Sequence, residues 1–265
     1  IRVPAGDFSA KIMVKVGQLD SKNFPDNKKY AIPLSITGAS NYSLIPSQRS
    51  AILLLNRSIL ASVAKVSGGE GIRIKPVGMH TKAEWTIQMS AIYSSLTRSN
   101  LTTAYLSNGT GGAFYTRISS TAGIQVKNGR DGDDTWTQIP LQAGKWLHIT
   151  YVHKDKKTTV YVNGKVQKVF ENSAITFGEN SMIIVGNSGY RNDYLREIRL
   201  WDKALTESEI NDYLYLPMDP ETPHLISYLP LSKEAGIKDL KAPADMENVT
   251  TKARIEYVEN VKFPA

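Results

Sequence analysis

The sequence predicts an all-β protein of two tandem β-sandwiches, the second carrying one short helix. Three observations support this. From Trp85 to Val162, short apolar or alternating segments follow one another with turn residues between them, the spacing of an antiparallel sandwich. Asn163-Gly164 stands between residues 159–162 and 165–169, both of strand character, and supplies the two positive φ values of a type I′ hairpin turn. A single helical signal follows Trp201, where Thr206 and Glu209 have capping-box spacing and Ile210 with Leu214 forms one apolar stripe.

Taken in chain order, Phe8, Ala10, Ile12 and Val14 alternate with Ser9, Lys11, Met13 and Lys15 and predict a first strand. Residues 30–36 and 51–55 predict two more, separated by polar stretches rich in Asp, Asn, Ser and Pro. Ser67-Gly68-Gly69-Glu70-Gly71 is the sharpest break in composition, and its glycines raise the entropic cost of order. It places the domain boundary there, giving domains 1–68 and 69–265. Beyond it, strands are expected at 85–91, 101–106, 113–118, 123–126, 136–139, 146–153 and 158–162. After the helix, residues 225–231 and 254–258 return to strand character.

At 265 residues, 41% of them hydrophobic and 22% charged, the chain has an ordinary globular composition and enough length to bury a core. No apolar run approaches the roughly 20 residues that span a bilayer. The absence of cysteine removes disulfides, thiolate metal sites and a cysteine nucleophile. A formal charge of +7 raises the question of a polyanion partner. The basic residues are spread along the chain, however, and the densest group, Lys154, Lys156 and Lys157, falls in a predicted turn, where a solvated loop accounts for it. Nucleic acid is not an expected partner.

Several segments together resemble the laminin-G-like family of concanavalin A-like lectin/glucanase domains. They are Trp146 and His148 on one strand, Tyr161-Val162-Asn163-Gly164, Val185-Gly186, and Glu197-Ile198-Arg199-Leu200-Trp201 followed by Leu205-Thr206-Glu207. The likeness extends from about Trp85 to Leu231 and implies a concanavalin A-like jelly roll for residues 69–265. Tyr30-Ala31-Ile32-Pro33-Leu34 and Arg49-Ser50-Ala51-Ile52-Leu53-Leu54 resemble the β-sandwich domain of unknown function that precedes such domains in surface lipoproteins of gut Gram-negative commensals. That resemblance implies an immunoglobulin-like first domain and an exported protein. The protein would sit at the outer-membrane surface or in the periplasm, anchored by a lipidated cysteine upstream of Ile1, beside other surface proteins of a polysaccharide-uptake system.

Glucanases of this fold carry a Glu-x-Asp-x-x-Glu strand, because a retaining mechanism needs two carboxylates about 5 Å apart. No Glu here is followed two residues later by Asp. The four histidines form neither His-x-His nor His-Glu-x-x-His, and there is no nucleophile elbow or phosphate loop. A non-catalytic carbohydrate-binding protein is therefore expected, with a structural or adhesive protein-binding role as the alternative.

Trp136 ends a polar loop, where an indole can stack on a sugar ring while neighbouring polar groups take its hydroxyls. The stretch Tyr190, Arg191, Asn192, Asp193 and Tyr194 combines rings with planar polar groups, the mixture a glycan site uses. Asp131, Asp133 and Asp134 crowd one turn. They read either as oxygen ligands for Ca²⁺ or as a solvated acidic turn. Laminin-G-like domains often bind calcium at a loop end, which makes Ca²⁺ the one cofactor the resemblance brings. Trp85, Trp146, Trp201 and His148 lie within predicted strands and are expected to pack.

Overall fold

The computed structural model describes the chain except residues 1, 4, 8, 18, 21, 26–27, 56–58, 78–81, 99–100, 108–111, 128–131, 172–174, 177–180, 188 and 264–265, together with the side chains of 112 and 113. It divides into two compact units, Ile1–Leu55 and Asn56–Ala265.

In the first unit, β1 (Tyr30–Ser35) pairs antiparallel with β2 (Ser50–Leu55). Tyr30, Ile32 and Leu34 take the more buried face of β1, with Tyr30 edge-on to Phe24. Among the described residues the unit holds this two-stranded ribbon rather than the paired sheets of an immunoglobulin-like sandwich. Residues 9–17 lie outside any strand and are exposed: alternation supplies an apolar face but does not supply a neighbouring edge to pair with.

The second unit holds β3 (Ile59–Ser67), β4 (Ile72–Ile74), β5 (Trp85–Ile92), β6 (Thr102–Ser107), β7 (Gly112–Ser119), β8 (Gly123–Lys127), β9 (Trp146–Lys154), β10 (Lys157–Val162), β11 (Lys165–Glu171), β12 (Met182–Val185) and β13 (Asp193–Trp201). The helix α1 (Glu207–Tyr213) and strands β14 (Leu225–Leu229), β15 (Val249–Thr251) and β16 (Arg254–Phe263) complete it. A larger sheet runs β11-β10-β9-β5-β13-β3-β16, with β14 also on β13, and a smaller one runs β15-β4-β12-β6-β7-β8. Alternate residues of the two sheets meet in one core: Ile87, Met89, Ile149 and Leu195 from the larger, Ile74, Leu106, Phe114 and Val185 from the smaller. Among the described residues no helix is long and apolar enough to cross a membrane.

The domain boundary differs from the sequence expectation. β3 pairs with β13 and β16 inside the larger sheet, and β4 lies in the smaller one. The Gly68–Gly71 run is therefore the corner by which the chain passes from one sheet to the other. Its glycines are demanded by packing as well as by turn geometry. Gly69 has φ +74, and a Cβ there would stand 2.3 Å from the backbone of Ala253; at Gly71, with φ +82, it would stand 2.5 Å from the Gly186 carbonyl.

Local signals were realised where they are self-contained. Asn163 and Gly164 take φ 51 and 75 between β10 and β11, and Asn163 Oδ1 also accepts from the backbone N–H of His148. The Thr206–Glu209 capping box forms with both of its reciprocal hydrogen bonds. The strand expected at 136–139 does not form; Trp136 makes only a single bridge to Gln125.

At the middle of the larger sheet, β13 keeps β5 on one edge and shares the other, with β3 beside Asp193–Leu195 and β14 beside Ile198–Trp201. The ladder to β5 slips between Arg196 and Arg199. There Glu197 takes φ 56, a left-handed residue of the kind that makes a bulge. Its buried carboxylate accepts from Arg196 at 2.9 Å, from Arg199 at 2.8 Å and from the Tyr228 hydroxyl at 3.0 Å. Arg199 also donates to the carbonyls of Tyr213, the last residue of α1, and of Leu216 just past it. Trp201, Leu205, Ile210, Met218 and Tyr228 pack together over this outer face.

His148 and His153 are both buried. His148 meets Ser90 Oγ through Nδ1, and burial followed by the nearby Arg199 charge pushes its pKa well below the ordinary value. His153 stacks on Trp85, pairs its Nδ1 with Thr158 Oγ1 and accepts the Ile175 N–H at Nε2. Accepting at Nε2 requires the neutral ring, and burial holds its pKa at about 4.

Two outcomes are expected. Glu197→Gln leaves two buried guanidiniums without a counter-charge and should lower stability by about 3–5 kcal/mol, read from urea unfolding; a loss within 1 kcal/mol would show the network to be dispensable. For His153, the unfolded chain takes up the proton near pH 6.5 and the folded chain only near pH 4. Stability due to this residue is thus complete above about pH 6.5 and falls as the pH is lowered toward 4, by about 3 kcal/mol over that window. Between pH 7 and 4.5, His153→Gln should lose about 2 kcal/mol less than the parent; equal losses would remove His153 as the cause.

Candidate functional site

The stretch 190–194 divides between core and surface. Tyr190 is 1% exposed, its ring edge-on to Tyr93 and its hydroxyl 3.2 Å from that of Tyr93. The ring also lies against Gly186, where a Cβ would come within 2.9 Å of it. Desolvation drives its phenol far above the usual range. Such a ring is closed to a sugar, which corrects the expectation drawn from sequence. Asp193 is likewise fully buried. It holds Arg98 through two bonds of 2.9 and 2.8 Å and accepts the backbone N–H groups of Ser94 and Arg191. Tyr194 packs with Val63, Trp146 and Phe263 on the outer face of the larger sheet. Arg191 and Asn192 are exposed, and Asn192, with φ 58, is tied by its N–H to Ser67 Oγ. The stretch works as a buttress that fixes Arg98.

In the acidic turn, Asp131 lies outside the described residues. Asp133 and Asp134 are exposed in a short 3-10 turn, Asp133–Thr135. Among the described residues no three His, Cys, Asp or Glu side chains gather as a metal site.

Trp136 follows that turn, half-buried, and is held from both sheets. Its backbone N–H donates to the Asp133 carbonyl, and Thr135 Oγ1 accepts from Gln125 of β8. From β11 in the larger sheet, Lys168 Nζ reaches the carbonyls of Asp134 and Trp136 at 2.8 and 2.7 Å. Thr137 on its other side exchanges backbone and side-chain bonds with Ile124.

Trp136 lines an open cleft of ≈ 380 Å³, toward the lower end of the roughly 300–1,000 Å³ of small-molecule sites. The loop before β6 contributes Leu96, Thr97, Arg98 and Leu101; the end of β7 and the turn after it contribute Arg117, Ile118, Ser119, Ser120 and Thr121. The lining thus joins an indole, two guanidiniums and a row of hydroxyls. Arg98 is saturated, since besides Asp193 it donates to the carbonyls of Ser95 and Gly189. Arg117 is not. Its guanidinium lies 5.2 Å from the centroid of the Tyr115 ring, and its buried Nε has no hydrogen-bond partner. Tyr115 is edge-on to Tyr105, its cross-strand neighbour on β6, so two half-buried rings continue the surface from the cleft along the outer face of the smaller sheet.

Tyr105, Tyr115, Arg98 and Arg117 were not singled out from sequence. Alternation within 113–118 does put Tyr115 and Arg117 opposite Phe114 and Ile118. It does not say which face stays open.

Comparison with known proteins finds the same architecture elsewhere. A candidate carbohydrate binding protein of Bacteroides ovatus superposes with a TM-score of 0.58 at 18% identity, covering 89% of this chain and 70% of that one. A heptameric pentraxin of Limulus polyphemus gives 0.50 at 12% identity over 76% of this chain and 95% of its own. At these identities the likeness is one of fold. No curated protein matches the chain. The laminin-G-like model of the concanavalin A-like lectin/glucanases superfamily matches residues 67–211, from the Gly-rich corner to α1, and the chain belongs to that superfamily.

Proposed function

We propose that the chain is a non-catalytic carbohydrate-binding module whose site is the cleft beside Trp136. The observation that carries this reading is the lining itself: a tryptophan whose backbone is held from both sheets, hydroxyls around it and, among the described residues, no carboxylate. A glycosidase needs two acids about the scissile bond. The buried acids of the fold are engaged in structural bonds, Asp193 with Arg98, Glu197 with Arg196 and Arg199, and Asp239 with Ser227 Oγ and the Tyr228 N–H. The likeness to the Bacteroides ovatus protein supports the same reading. On this reading the protein is exported and lipid-anchored at the outer-membrane surface or in the periplasm. There it captures polysaccharide beside other proteins of an uptake system, and the Asp131–Asp134 turn is where calcium would act.

A second reading, contact with a protein partner, has one observation in its favour: Ile52 and Leu54 of β2 are 69% and 71% exposed, a concentration of apolar surface that partners use.

A glycan array with the full chain, run with calcium and again with a chelator, separates the two. At least one polysaccharide class should bind, and Trp136→Ala should weaken it about tenfold or more, as loss of an aromatic anchor does. Binding indifferent to Trp136→Ala would move the site elsewhere, and an empty array would favour the protein-binding reading.

A further inference from the structure

Resting on the carbohydrate reading of the cleft, we infer that its ligand is an acidic glycan and that Arg117 reads a carboxylate on the sugar. The charge balance of the lining points to it. Of the two guanidiniums, Arg98 is neutralised by Asp193, whereas Arg117 has neither an ion pair nor a side-chain hydrogen bond among the described residues. Among the described residues no acid lines the cleft there. One positive charge is therefore left facing the open volume.

That charge is also held in place. The guanidinium rests on the Tyr115 ring, whose hydroxyl is itself fixed by Thr102 Oγ1 at 2.8 Å. A stacked guanidinium keeps its plane and leaves its donors available at the edge. The planar fork matches a carboxylate through two parallel N–H···O bonds. Thr97, Ser119, Ser120 and Thr121 stand round it to meet sugar hydroxyls, with the Trp136 ring as the apolar wall. The formal +7 of the whole chain favours approach of an anionic polymer at low salt.

The decisive experiment measures binding of the full chain to polygalacturonate, alginate and hyaluronan, each beside its carboxyl-reduced neutral form, with dextran sulfate as the sulfate probe. At least one acidic polymer should bind about tenfold or more tightly than its reduced form, the worth of a charge-assisted bidentate contact. Arg117→Gln should abolish that preference, so that the acidic and reduced forms bind alike. Arg117→Lys, which keeps the charge and the stacked stem, should retain only part of it; this variant guards against misreading a folding defect of Arg117→Gln. Equal affinity for acidic and reduced forms, or a preference that survives Arg117→Gln, would overturn the inference. So would tightest, Arg117-dependent binding of dextran sulfate, which would assign the site to sulfate. Trp136-dependent binding without acid preference would reject the acidic ligand and leave the carbohydrate reading standing, whereas no binding to any polymer would reject both.

Discussion

The buried carboxylate of Glu197 is the constraint on which the sandwich turns. β13 must present Leu195, Ile198 and Leu200 to the core while serving β5 on one side and both β3 and β14 on the other. In a regular strand Arg196 and Arg199 would point to opposite faces, and with Leu195 turned inward Arg199 would enter the apolar core, at a cost of several kcal/mol to desolvate. The left-handed turn of the backbone at Glu197 inserts one residue into the ladder and swings its carboxylate between the two arginines. Arg199 also donates to the carbonyls of Tyr213, the last residue of α1, and of Leu216 just beyond it, at the negative end of the helix. The helix therefore docks for electrostatic as well as apolar reasons, and His148 stays neutral beside a fixed positive charge.

What sequence revealed and what it concealed follow from the range of the interactions. The Asn163-Gly164 hairpin and the Thr206–Glu209 box are written in adjacent residues, since a positive-φ pair and a reciprocal cap need nothing else in order to form. The Gly68–Gly71 run is different. A linker and a corner demand the same residue for different reasons. The distinction lies in Ala253 and Gly186, whose backbones press on two of these glycines from remote parts of the chain. Read as a linker, the run sent β3 to the wrong unit; packed as a corner, it joins the two sheets. The alternation near Phe8 misled for a related reason, because a period of two specifies a face and leaves the pairing edge unspecified.

The site was legible to a similar depth. Trp136 was recoverable because a large ring after a run of polar and acidic residues has no obvious core to enter, and it lines the cleft. Tyr190 and Asp193 looked equally suitable by composition. Their fate was decided by Gly186, whose missing side chain makes room for the Tyr190 ring, and by Arg98, which draws the Asp193 carboxylate inward. A loop mixed from rings and planar polar groups suits a sugar and suits a buried buttress, and only the neighbours choose. Arg117 went unnoticed because its significance is relational: what sets it apart is that, among the described residues, no acid pairs with it.

The two arginine environments show how the fold supports its site. On the covered outer face of the larger sheet, Arg196 and Arg199 share the Glu197 carboxylate, since no solvent is there to screen an unpaired charge. At the cleft mouth a guanidinium can keep its charge uncompensated, because water is there to solvate it. The fold spends its rigidity there on the walls instead: Lys168 reaches from the edge of one sheet to the turn carried by the other, and Asp193 locks Arg98 from behind. A ligand entering such a cleft meets groups already in position and forgoes much of the ordering cost that weakens flexible sites. Because Lys168 belongs to the larger sheet and Gln125 to the smaller, the placement of Trp136 is a property of the sandwich as a whole. The core that Glu197 stabilises is, through these clamps, also what keeps the cleft open and in register.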